Sequence, residues 1–238
     1  MRRPFVFIAG LRRTGTTVLS EALTRLPKSF IFREPSLCGA VKGTDREALR
    51  PFGVNLAGMI QQGMYRTLPI EQVGVKEVRC YQWREWYRVN PDMRVIVTGR
   101  DPRDIYVSLD QRAREGKSGL RLDPPAAAHQ LLSEWRSQWR IHKEIGALKV
   151  LYEELVSDPA GVMATVREYI DSPLDGIGDV GCFNRENPAR VSEFRIHGEK
   201  ITGARSGRWR EVEDADLADR MNEVWRRMEK YREWWGLP

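Results

Sequence analysis

Two arginines inside a glycine-bounded loop are the first residues in this chain whose types and spacing could do chemistry. The stretch reads Gly10-Leu-Arg12-Arg13-Thr14-Gly15-Thr16-Thr17. Gly10 and Gly15 keep the spacing of the phosphate-binding loop G-x-x-x-x-G-K-[ST], with Thr16 at the lysine position and Thr17 at the last. Gly15 permits a backbone turn with positive φ, which lets successive N–H groups converge on one anion. A helix after the loop adds free N–H groups and the positive end of its dipole. Arg12 and Arg13 place two cations there, so the loop suits a phosphate-like group. It lacks the lysine that nucleoside-triphosphate enzymes direct at β- and γ-phosphates. The plain alternative is a strand–turn–helix with exposed arginines.

A second set is Arg100 and Ser108. Asp101 is a good N-cap, Pro102 fits the first helical position and Asp104 the third, so a helix starts there. Ser108 falls on the helix face shared with Asp104. A guanidinium and a hydroxyl so placed can clasp one phosphate. Equally, Arg100 can pair with Asp101 or Asp104 and leave Ser108 an ordinary polar position. His129 and His142 fall on predicted helices and read as surface or packing residues; His197 sits in a late loop. The three cysteines, Cys38, Cys80 and Cys182, form no C-x-x-C pair and no Cys–His cluster. They read as free thiols of a reducing compartment, and the expected location is cytoplasmic.

The elements that must position these groups alternate. Strands are predicted at about 4–9, 29–32, 73–76, 94–98 and 147–152. Helices are predicted at about 15–26 (ended by Pro27), 46–68, from Asp101 onward, 125–144, 160–170 and 214–235. Residues 172–210 show little periodicity. Strand–helix alternation implies an α/β fold with a mainly parallel central sheet flanked by helices. Ligands then bind beyond the carboxyl ends of the strands. Arg13, Glu34, Lys76, Arg100 and Tyr152 lie at or just past five such ends. No repeat or linker divides the 238 residues, and a single domain over 1–238 is expected.

Composition narrows the partners. The net charge of +6 comes with 33 acidic residues, a mixed pattern that suits a small anionic ligand. No run of Lys and Arg interleaved with aromatics marks a nucleic-acid groove. No apolar run approaches a membrane span, so neither nucleic acid nor membrane is an expected partner.

The motifs together resemble the sulfotransferases that use 3′-phosphoadenosine 5′-phosphosulfate (PAPS). In that family a first loop like P-K-S-G-T-T or P-R-S-G-T-T binds the 5′-phosphosulfate; here it is Arg12-Arg13-Thr14-Gly15-Thr16-Thr17. A second motif, R-D-P-R-D-x-x-x-S, binds the 3′-phosphate, and Arg100-Asp-Pro-Arg-Asp-Ile-Tyr-Val-Ser108 matches every fixed position. A Y-E-D-L-like strand end is matched by Tyr152-Glu-Glu-Leu155, its tyrosine approaching the adenine. A late R-x-G-x-W-like loop that closes over the 3′-phosphate is matched by Arg205-Ser206-Gly207-Arg-Trp209. The resemblance implies a P-loop NTPase-like sulfotransferase fold with PAPS as donor, 3′-phosphoadenosine 5′-phosphate (PAP) as product and no metal.

Sulfuryl transfer resembles phosphoryl transfer: an acceptor attacks in line and a phosphate oxygen leaves. The resemblance puts Arg13 where relatives carry a catalytic Lys or Arg, and Lys76 where a lysine lies near the sulfonyl group. Relatives that act on phenols and alcohols have K-x-H after the third strand. Here the triplet is Lys76-Glu77-Val78, without the histidine. Glu34 holds the position of the basic glutamate in tyrosylprotein enzymes and is the expected base, with Glu77 second; the alternative is that Glu34 only pairs with Arg33 or Arg13. The acceptor is a hydroxyl, or an amine, on a small molecule, glycan or peptide. Tyr65, Tyr81, Trp83, Trp86 and Tyr87 either line its pocket or belong to the core. The other readings are a P-loop nucleotide or small-molecule kinase and a non-catalytic nucleotide-binding member of the fold.

Overall fold

A computed structural model of the chain describes residues 3–25, 28–34, 70–78, 80–81, 83–116, 123–176, 201 and 206–238. Five apolar runs become strands: β1 (Val6–Gly10), β2 (Ser29–Arg33), β3 (Gln72–Val78), β4 (Arg94–Gly99) and β5 (Leu148–Leu151). They form one sheet in the order β2-β3-β1-β4-β5, with every pairing parallel. A parallel sheet is covered on both faces, so its middle strand β1 is apolar throughout rather than alternating. All five residues of β1 are buried accordingly.

The described helices are α1 (Thr16–Ala22), α2 (Trp83–Val89), α3 (Pro102–Arg114), α4 (Pro124–Ile145), α5 (Tyr152–Ser157), α6 (Pro159–Tyr169), α7 (Ala215–Arg227) and α8 (Glu229–Trp235). A 3₁₀ turn covers Arg208–Glu211. Three of them begin at an Asp-Pro dipeptide. Asp101, Asp123 and Asp158 each accept a hydrogen bond from a backbone N–H of the first turn, and the following proline takes a position that needs no donor. Side chains alternate across β1. Phe5, Phe7, Ala9 and Leu11 join a core with residues of α2, α3, α4, α7 and α8, whereas Val6 and Ile8 join one with α1, α5 and α6.

Three expectations are corrected. Helix α1 ends at Ala22, well before Pro27, because Arg25 and Ser29 exchange backbone hydrogen bonds and turn the chain into β2. Tyr152 does not end β5; it opens α5. The aromatic run, for which core and pocket readings stood open, forms α2: Trp83 and Trp86 are core residues, as the core reading expected, Trp86 stacks on Phe5, and Tyr81 is exposed. The terminal helix is two helices that meet at Met228. There Arg232 Nε donates to the Trp225 carbonyl, serving a group that the helix end leaves open. The helix predicted over 46–68, and with it Tyr65, lies outside the described residues, as do Cys38, Cys182 and His197.

Candidate active site

The parallel order puts β1 between β3 and β4, so the loop after β1 lies at the point where the strand order reverses. Arg13 has φ 70° and Gly15 φ 84° in that loop. The loop is braced from beneath: Thr14 Oγ1 donates to the Leu11 carbonyl and lies 2.7 Å from Thr98 Oγ1 on β4. Gly15 caps α1 without any side-chain hydrogen bond. A Cβ there would sit 2.6 Å from the Tyr152 ring, so the glycine is needed for close approach as well as for its φ. Thr16 is buried and Thr17 half-buried beside it.

This loop and the head of α3 hold each other. Arg13 Nε donates to Ser108 Oγ at 2.8 Å, and Arg100 Nη1 donates to the Arg13 carbonyl at 3.1 Å. The Arg100 guanidinium lies 4.4 Å from the centre of the Tyr152 ring. It also pairs with Asp104 at 3.3 Å. Arg100 thus pairs with Asp104, as one reading expected, and it also sits with Arg13, Ser108 and Tyr152 around one loop. Asp101 is taken by Arg103, whose guanidinium lies between the Trp209 and Trp225 rings at 3.4 and 3.7 Å.

Asp104 is a residue whose role the sequence reading missed. Its carboxylate accepts from Gly207 N at 2.7 Å and from Trp209 N at 3.1 Å, which fastens the late loop to α3. Ser206 and Gly207 therefore lie at the site, and Gly207 adopts φ 75° at the turn. Arg205 is outside the described residues. Arg12 is engaged elsewhere: Nη2 donates to Glu134 Oε1 on α4 at 2.8 Å, and Glu134 is buried.

A second cluster lies at the ends of β2 and β3. Glu34, with φ 48°, turns back so that its N–H donates to the Lys76 carbonyl and its carboxylate meets the buried Lys76 ammonium. Glu34 is paired with neither Arg33 nor Arg13 in any described ion pair; Arg33 pairs with Glu21 of α1 at 2.8 Å. Glu77 follows Lys76 in β3 and so projects from the opposite face of the sheet. Among the described residues no group of three or more His, Cys, Asp or Glu could hold a metal ion, and no helix is long and apolar enough to cross a membrane.

The model of the Sulfotransferase family matches residues 80–176, a stretch that contains Arg100, Ser108 and Tyr152. No curated protein matches the chain. Among solved structures, sulfotransferase STF9 from Mycobacterium avium is similar at 18% identity and a TM-score of 0.56, over 98% of this chain and 76% of that one. A sulfotransferase from Alicyclobacillus acidocaldarius is similar at 18% identity and a TM-score of 0.55, over 84% and 98%. Mouse sulfotransferase SULT7A1, solved with PAP, is similar at 13% identity and a TM-score of 0.52, over 96% and 86%. This is the sulfotransferase fold. The sequence resemblance holds for the architecture.

Within the sulfotransferase fold, Glu21 has a measurable consequence. Burial pushes its carboxyl up from the ordinary 4.5 to about 7, against the pull of Arg33 and Lys76. Between those values the folded chain binds more protons than the unfolded chain, so this group's contribution to stability falls as pH rises and levels off above about 7. Glu21→Gln is expected to flatten that fall. Urea midpoints for both proteins across this window check it; parallel pH dependences would contradict the assignment.

Proposed function

We propose that this chain is a sulfotransferase that moves a sulfuryl group from PAPS to a hydroxyl, or an amine, of an acceptor substrate. The observation that carries the reading is the mutual clasp of Arg13 on Ser108 and Arg100 on the Arg13 backbone, against the Tyr152 ring. It gathers three motifs, from widely separated parts of the chain, around one glycine loop. The site suits such a donor: the glycine loop, the Tyr152 ring packed against Gly15, and the Arg13 and Arg100 guanidinium groups lie together. Arg13, Thr14, Gly15, Thr16 and Thr17 would hold the 5′-phosphosulfate, with Arg12 backing the loop through Glu134. Arg100, Ser108, Arg205, Ser206 and Gly207 would hold the 3′-phosphate, and Tyr152 the adenine. PAP in the mouse enzyme structure supports a nucleotide of this kind.

The donor supplies a sulfonyl group with a phosphate as leaving group. The acceptor oxygen forms a bond to sulfur while the bond from sulfur to the phosphate oxygen breaks, and that electron pair stays on the phosphate. Glu34 takes the acceptor proton. As its carboxylate is neutralised, Lys76 loses its counter-charge and its ammonium becomes available to the leaving oxygen. Arg13 stabilises the same developing charge, and preorganised donors of this sort are worth about 3–4 kcal/mol each. The pairing of Glu34 with Lys76, and the projection of Glu77 from the opposite sheet face, favour Glu34 over Glu77 as the base. We place the reaction in the cytoplasm and assign it no metal.

Thermal unfolding with PAP, and separately with ATP and magnesium, tests the reading. A ligand that binds the folded chain raises the melting temperature by mass action, by about 2.7 kcal/mol of added stability at 100 times its Kd. A shift with PAP and none with ATP is expected. A shift with ATP alone would make the protein a kinase, and no shift with either would make it a fold member without the donor site.

A further inference from the structure

Three successive residues at the carboxyl end of β4 are held from outside the sheet. A Cβ on Gly99 would lie 2.3 Å from the Trp235 indole, so only glycine lets α8 close against the strand. The Tyr231 hydroxyl, also on α8, accepts from Arg100 N–H and donates to the Arg100 carbonyl, both at 2.9 Å. Asp101 N–H donates to Glu153 Oε1 at 3.0 Å. One hydroxyl thus serves both backbone groups of Arg100, as the facing residue of a neighbouring strand would. Tyr231 is fully buried. A phenylalanine ring would fill the same space, so the hydroxyl is there for the Arg100 backbone and not for packing.

We propose that Tyr231 and Glu153 are positioning residues for Arg100: they fix the backbone from which its guanidinium reaches the donor phosphate, a role that rests on the donor site proposed above. The guanidinium is set from the other end by Asp104, the Arg13 carbonyl and the Tyr152 ring. With both ends fixed, Arg100 meets its ligand with little reorganisation. A displacement of about 1 Å in such a group can cost ~10²-fold in function.

The test is calorimetric titration of PAP into the full chain and into Tyr231→Phe, Arg100→Ala and the double variant. Tyr231→Phe is expected to weaken PAP binding about 10-fold. In the Arg100→Ala background the same change is expected to add less than about 2-fold, because the residue it positions is gone. Arg100→Ala leaves Asp104 with its two N–H donors, so that variant keeps its late loop. Amide exchange at Arg100, read without ligand, is expected to speed up at least about 10-fold in Tyr231→Phe. Should Tyr231→Phe fold poorly, Glu153→Ala repeats the cycle from α5, with the same non-additivity. Equal weakening in both backgrounds, or unchanged PAP binding, would overturn the positioning role while leaving the donor site in place. Failure of the unaltered chain to bind PAP would overturn the donor site itself, and the positioning role with it.

Discussion

Arg13→Ala is expected to lower kcat by about 10²–10³-fold at saturating donor, the loss seen when one preorganised donor to a developing oxyanion is removed. Backbone strain does not confound this change. Arg13 has φ 70°, and alanine in that region is strained as arginine is, so the two proteins differ chiefly in the guanidinium. The Arg100 bond to the Arg13 carbonyl uses the backbone and survives the substitution. What goes is the charge and the bond to Ser108. Arg13→Lys separates these two. It keeps a cation but loses the planar fork, and activity between that of the parent and that of Arg13→Ala is expected. Steady-state rates with PAP affinities measured beside them check both variants. An unchanged kcat in Arg13→Ala would remove Arg13 from the chemistry.

Glu34 calls for two substitutions rather than one. Glu34→Gln is expected to lower kcat at least about 10²-fold, the contribution of a placed general base. Its amide can still bond to Lys76, so the fold is retained. Glu34→Ala removes that partner from a buried ammonium. Breaking a buried pair costs about 3–5 kcal/mol. Because the Glu34 side chain is 33% exposed, the lower end applies, and screening by water reduces it further. Each kcal/mol lowers the melting temperature of a chain this size by roughly 2–4 °C. A fall in melting temperature confined to the alanine variant, with activity lost in both, separates the chemical role from the structural one. Full activity in Glu34→Gln would reject Glu34 as the base.

The parts of this site that were legible in the sequence are local in the chain. The loop from Gly10 to Thr17, the Asp101–Pro102 helix start and the Arg100–Ser108 spacing each depend on residues a few positions apart. The pairings that assemble them are not local. Asp104 meets Gly207 and Trp209 at separations of 103 and 105 residues, and Arg12 meets Glu134 at 122. No period or spacing carries such contacts. Tyr231 shows the limit most clearly: helical spacing places it on an inner face, and nothing in that pattern separates a core ring from one whose hydroxyl holds Arg100. The strands were readable because buried parallel strands are apolar runs, whereas α5 was not. Its six residues are too few to show a period, and its first turn carries the tyrosine that the resemblance places at a strand end. The break at Met228 has no proline or glycine to announce it and depends on Arg232 reaching back to Trp225.

The central place of β1 also bears on how the chain is made. Its two neighbours are residues 72–78 and 94–99, so β1, which leaves the ribosome before either, must wait for both. At about 5–20 residues per second that wait lasts on the order of seconds. Throughout it, Phe5 to Leu11 is a bare β-prone segment, the kind that pairs with other chains when left open. Arg2, Arg3 and Pro4 stand before that segment and Arg12 and Arg13 directly after it. Charges and a proline at the borders of an apolar strand discourage intermolecular stacking. Arg12 and Arg13 would therefore keep the nascent chain soluble before they take their places in the folded loop, and neutralising them together would lower the yield of folded protein.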